Sequence, residues 1–381
     1  MPILTSIEEI MDTKEKKICW TEIANAAGVT KAAITGFRNG SELKFHSLLK
    51  IAQFLLNNNY MKVFKNWCIN LQGPKNIRHA LEYLAINRQI DELEELIAKI
   101  RNEYTDTKLL DWADGYELLA QYLKANNYQE IMCNIRAFRP KTHEMEILAA
   151  IVEVWCRYKL HDFKIMSSLI VGLEASIDKI KESFIKDSYL MRLKEALAYV
   201  NLYKYDNRDL ARRYAEEIIS SKISPTFTAG ATYLLGMSYL FDDYDKCLGN
   251  ILRHRELLEE AGRDKEIEII DNNDIPFVKN IWRKYTEQPQ TNDISEKAHY
   301  EATMGNKELA QELVNEAIEK YGLSGFRAYY QALATGEVSH FMNSLIVFIN
   351  KKGDKFYANL PYAHLKNDPV YGPMADLLLN E

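Results

Sequence analysis

Four residues within nine positions carry the clearest chemistry in this sequence: Thr30, Lys31, Thr35 and Arg38. On a helix starting at Lys31, residues 31, 35 and 38 share one exposed face, while Ile34 and Phe37 point inward. An ammonium, a hydroxyl and a guanidinium on one face can donate to base edges and phosphates. Thr30, just ahead, has the side chain of an N-cap. The chemistry this spacing suits is the reading of double-stranded DNA.

Such a helix needs a support that fixes its entry into a groove. Ile23, Ala24 and Ala27 make a short apolar face on a preceding helix that starts near Trp20. Gly28 then stands where a tight interhelical turn needs positive φ, and Val29 plugs that turn. The result is a helix-turn-helix. The competing reading is two helices of an ordinary bundle that meet at a glycine. Three features favour DNA: Gly36 keeps the second helix lightly packed, Asn39-Gly40-Ser41 ends it, and Leu43 to Leu56 supplies a further helix. In that helix Leu48, Leu49, Ile51, Ala52, Leu55 and Leu56 complete a small core. Between residues 14 and 50 seven basic and three acidic side chains give a net of +4, while the whole chain is −6. Only this piece suits a polyanion. So small a module makes few phosphate contacts, so a specific site calls for two copies and a homodimer.

The remaining bulk properties are those of an ordinary globular protein. With 381 residues, 47% hydrophobic and 27% charged, more than one domain is expected. No run of eighteen apolar residues exists, so no membrane partner is expected. No basic-then-apolar leader precedes Glu8, Glu9 and Asp12, and the five cysteines are odd in number and widely spaced. Both point to a cytoplasmic chain with reduced thiols. There is no Gly-rich phosphate loop, no cysteine pair at metal spacing and no G-x-S-x-G, and His143-Glu144 lacks the second histidine of a zincin motif. No enzymatic activity, metal or cofactor is expected.

Beyond Tyr60 helical periods alternate with short polar turns. Turns are expected near Asn87, Asn126-Asn127, His161-Asp162, Asp206-Asn207, Asp242-Asp243, Gly305-Asn306 and Gly336-Glu337. Successive spacings of 39, 35, 45, 36, 63 and 31 residues match helical-hairpin repeats of the tetratricopeptide type, and the gap of 63 hides a turn. The clearest unit is Leu193 to Ile219, with Ala211 and Ala215 allowing close helix approach, and Gly236 serves as the small residue of the next. The expected fold is all-α: a helix-turn-helix domain at 1–58, a degenerate right-handed repeat array at 59–290, and C-terminal repeats with a dimerisation cap at 291–381. Asn57-Asn58-Asn59 and residues 287–292 are the candidate linkers. Such arrays expose a concave surface suited to a peptide.

Several segments resemble the arbitrium receptors, the AimR family of temperate Bacillus phages. They are Ala211-Arg-Arg-Tyr-Ala-Glu-Glu-Ile218, Tyr233-Leu-Leu-Gly-Met-Ser-Tyr239, Asn280-Ile-Trp282, Gly325-Phe326, Tyr329-Tyr330, Asp354-Lys355-Phe356 and Leu360-Pro361. The resemblance implies a dimer that activates a negative regulator of lysogeny. It also implies a short arginine-containing signalling peptide, a hexapeptide, that switches this off. It places Glu296 and Asp354 at acidic positions that hold the arginine, and Asn201 at an asparagine that grips the peptide main chain. Thr226 stands where some members carry a basic residue. Read from the residues alone, Glu296 also suits a helix dipole, Asp354 an N-cap, and Asn201 a helix interior that requires a partner. A different function class is an adaptor of the same repeat type that binds a response regulator; the helix-turn-helix argues against it.

Overall fold

In the computed structural model the described residues are 3–124, 127–160, 162–284 and 290–380, and all their regular structure is helical. Of the expected turns, Asn126 and His161 lie outside them, as do Glu287, Gln288 and Pro289 of the second linker. The chain forms two compact units, Met1–Cys156 with Ala175–Tyr189, and Arg157–Glu174 with Leu190–Glu381. The expected boundaries at 58 and 290 each fall inside one of these units.

In the first unit, helices Trp20–Ala27 and Lys31–Arg38 meet at Gly28, whose φ of 65° is left-handed. The Val29 N–H closes the turn on the Ala24 carbonyl at 3.0 Å. Ile23, Ala24, Ala27, Ile34 and Phe37 are buried, with Leu48, Ile51, Ala52 and Leu55 of helix Phe45–Leu56. Burial of this set supplies most of the module's stability, since helices of eight residues are marginal alone.

The Asn57–Asn59 segment is a 3₁₀ turn leading into helix Tyr60–Ile69. The module is further tied down by Glu42. Its carboxylate accepts the N–H groups of Gln72 (2.8 Å) and Gly73 (2.9 Å) and the Asn76 amide, at the start of helix Pro74–Ile86. One of the few acidic side chains of the basic stretch is thus engaged away from any anion.

In the second unit consecutive helices from Arg208 to Leu365 pack on one another. The turns fall where their residues put them: Asn207, Asp243 and Asp354 accept first-turn N–H groups, and Gly305 and Gly336 end helices. The hidden turn is at Gly262, after helix Tyr244–Glu260. Gly236 is required by close approach: a Cβ there would lie 3.1 Å from the Cys247 carbonyl oxygen. Three stretches widen to π-helix, Val200–Lys204, Ile270–Asp274 and Val347–Lys352. Among the described residues no helix is long and apolar enough to cross a membrane.

Candidate functional site

The N-terminal candidate site is a surface. Thr30 caps helix Lys31–Arg38, its hydroxyl oxygen accepting the Ala33 N–H at 3.2 Å. Lys31, Thr35 and Arg38 are exposed, opposite the buried Ile34 and Phe37. The Thr35 hydroxyl donates to the Lys31 carbonyl at 3.0 Å, which leaves its oxygen lone pairs outward. The Arg38 guanidinium lies over the Trp20 ring at 5.3 Å, so its side chain is ordered by stacking. Neither Lys31 nor Arg38 forms an ion pair among the described residues, so both charges remain available.

The second candidate site is a cavity of about 250 Å³ in the second unit. Four helix starts build it. Asp274 ends the π-helical stretch Ile270–Asp274, immediately before helix Ile275–Trp282. Asp293 caps helix Ile294–Met304, accepting the N–H groups of Ser295 (2.7 Å) and Glu296 (3.0 Å). Ser324 caps helix Gly325–Thr335, which carries Phe326, Arg327 and Tyr330. Helix Lys355–Leu365 brings Tyr357. Phe277, Phe326 and Tyr357 meet edge to face, with centroids 4.8 to 6.1 Å apart, and form an apolar wall.

Three carboxylates and one guanidinium line this space, so its field is negative. Glu296 is buried and already well bonded: Tyr330 donates to it at 2.5 Å, the Asn280 amide at 2.8 Å, and His299 Nδ1 lies 3.3 Å away. Asp274 is the strained member. Burial, with the nearby Glu296 charge, pushes its carboxyl up to about 6, against the Tyr233 hydroxyl that donates to it at 3.2 Å. A cation entering here would relieve two carboxylates that repel each other.

The expected trio is only partly assembled. Glu296 lines the cavity; Asp354 and Asn201 are not among its lining residues. Asp354 is buried and caps helix Lys355–Leu365, accepting the Tyr357 N–H at 2.9 Å. Its charge and that of Asp274 both disfavour ionisation of Tyr357, whose hydroxyl is raised first of all by burial. Asn201 lies in the π-helical stretch Val200–Lys204 and turns its amide back onto the Leu197 carbonyl at 2.8 Å. That bond answers why an asparagine is tolerated in a helix interior. Asp274, Asp293 and Arg327 were not found from sequence. Asn273-Asp274 ahead of Pro276 was a local turn signal, yet nothing local tied it to Glu296.

The comparisons agree with this architecture. Residues 60–367 match a family model described as AimR transcriptional regulator-like. An uncharacterized protein of Bacillus anthracis is 27% identical over 246 residues, 62% of this chain and 89% of that protein. The solved structure of selenomethionine phAimR superposes with a TM-score of 0.74 at 20% identity, covering 99% of this chain and all of that one. The structure of phAimR with ligand gives 0.74 at 22% identity, covering 86% and 98%. At such identities the structures establish the all-helical fold; the family match over most of the length establishes kinship. The chain therefore belongs to the AimR transcriptional regulator-like family.

Proposed function

We propose that this protein is a peptide-controlled transcriptional regulator of a phage lysis–lysogeny decision. A homodimer binds double-stranded promoter DNA and activates transcription; a short arginine-containing peptide enters the second unit and switches that off. Lys31, Thr35 and Arg38 meet the DNA, with Thr30 capping their helix. The observation that carries the peptide half is the acidic, aromatic-walled cavity at Glu296 in a chain of this family. A guanidinium fits it better than an ammonium, because its planar fork reaches two carboxylates at once. Glu296 and Asp354 are the acids first expected to hold the guanidinium; Asp274, which lines the cavity with Glu296, joins them, and Asn201 serves the peptide main chain once its amide turns from Leu197.

The peptide acts by preferring one of two arrangements of the dimer, so its effect on DNA is bounded by its differential affinity for them. Half-sites at fixed spacing then lose their fit. The test is a gel shift on fragments of the genome that encodes the chain, with and without synthetic arginine-containing hexapeptides. A retarded fragment released by peptide supports the reading. A protein that retards no fragment is not this regulator.

A further inference from the structure

Trp20 opens helix Trp20–Ala27 and Arg38 closes helix Lys31–Arg38, so the contact between them joins the two helix ends farthest along the chain from the Gly28 turn. The guanidinium carbon stands 5.3 Å from the centre of the indole; Arg38 is exposed and Trp20 half-buried. No acid takes this charge. Glu22 accepts the Cys19 N–H at 2.8 Å and Glu42 accepts the N–H groups of Gln72 and Gly73, so both carboxylates between residues 18 and 50 are held by backbone. Among the described residues none of the guanidinium N–H groups of Arg38 has an acceptor. A guanidinium has a face and an edge. Stacking on a ring uses the face, while its five N–H donors all lie in the plane and point from the edge. Trp20 thus restricts the side chain without occupying a donor. Arg38 also shares with Lys31 and Thr35 an arc of about 60° on their helix, at 3.6 residues per turn.

Two adjacent in-plane donors suit two adjacent acceptors. DNA offers such pairs in two places, the O6 and N7 of guanine in the major groove and the oxygens of a phosphate. A phosphate accepts from many directions, so a fixed donor plane adds little there. A guanine edge accepts only in the plane of its base, so a fixed plane counts. The rest of the helix agrees: Lys31–Arg38 carries no asparagine or glutamine for adenine and no acid for cytosine. We propose that Arg38 reads a guanine of the operator half-site through O6 and N7, and that Trp20 is the positioning residue that sets the plane in which it does so. This rests on the DNA half of the proposed function and adds to it the base that is read and the side chain that aims the reader.

The experiment is a gel-shift titration of the full chain on the fragment that wild type retards, with each guanine replaced in turn by 7-deazaguanine, which keeps base pairing and O6 but lacks the N7 acceptor. At the contacted guanine the replacement weakens wild type by about fivefold or more. Arg38→Lys removes that sensitivity and leaves the salt slope unchanged, because the charge persists and the planar fork does not. Trp20→Phe keeps a ring under the guanidinium and keeps the sensitivity, whereas Trp20→Leu loses most of it. If Trp20→Leu instead weakens normal and substituted DNA alike, their ratio is unchanged and Trp20 is only a strut of the helix pair, which overturns its positioning role. The wild-type and Arg38→Lys arms stand even where Trp20→Leu does not fold. Wild type indifferent to 7-deazaguanine at every position leaves Arg38 a phosphate contact and overturns the inference, and so does a sensitivity that Arg38→Lys retains. If wild type retards no fragment, the DNA reading itself fails, and this inference with it.

Discussion

Asp274 carries a conflict between stability and binding. Its carboxyl is raised to about 6 in the folded chain, from the usual value near 4, by burial and then by Glu296. A raised carboxyl favours the protonated folded state, so its contribution is present below about pH 4 and lost as pH rises through about 6. Asp274→Asn should therefore stabilise the ligand-free protein at pH 7.5 by about 1–3 kcal/mol and do little at pH 4. It should also weaken binding of an arginine-containing peptide. Thermal melts at the two pH values check the first half; an equal shift at both would remove the titration argument.

On the other unit, Lys31→Ala and Arg38→Ala together should weaken DNA binding at every salt concentration. If either is a base contact, specificity relaxes by about 1–3 kcal/mol, and each lost phosphate contact lowers the salt slope by roughly one. Filter binding across a salt series reads both, and wild-type behaviour of the double variant would free this helix from the role.

The elements were more legible than the cavity, for a physical reason. Helix ends are written locally. Thr30, Asn207, Asp243 and Asp354 each accept a first-turn N–H three residues on, and the glycines at 28, 305 and 336 end helices. The turn at Gly262 escaped notice because it sits between Glu260 and Asp264 in a charged run with no second turn residue. The π-helical stretches escaped because widening a helix by one residue leaves its apolar period almost intact. One of them sets Asp274 at the cavity, and another places Phe348 under the start of helix Gly325–Thr335. The cavity's acids lie on separate helix starts, and no single stretch of sequence states that Tyr330 and Asn280 converge on Glu296. Phe348 gives an element-scale test. A Cβ on Gly325 would fall 2.6 Å from its ring, and Phe348 is fully buried, so the ring cannot swing clear. Gly325→Ala should cost about 1–3 kcal/mol by overpacking. Urea unfolding that gives an unchanged midpoint would mean the helix start yields instead.

At the scale of the whole molecule, the last helix decides whether one copy is enough. Tyr371–Asn380 is anchored on its inner side: Gly372 and Ala375 are buried, Tyr362 donates to Asp376 at 2.8 Å, and Lys355 Nζ holds the Leu379 carbonyl at 2.7 Å. Its outer side is apolar and open, with Val370 64%, Met374 51% and Leu377 71% exposed. Met374 and Leu377, three apart on this helix, share one face, and Val370 stands in the turn just before its start. On the proposed function a second copy covers this patch, since a helix of eight residues would read only a half-site, and the same patch on both subunits would make an isologous contact.

Removal of residues 370–381 should therefore give a monomer by light scattering, and Met374→Glu with Leu377→Lys should do so without deleting the anchored inner face. Both variants should keep the peptide affinity of the parent, because the cavity lies within one chain. Both should lose DNA binding by far more than the charge change accounts for, since two half-sites are then read by unlinked subunits. A charged-patch variant that stays a full dimer moves the interface elsewhere. One that becomes a monomer yet grips DNA as before separates dimerisation from reading, and removes the spacing of half-sites as the means by which peptide acts.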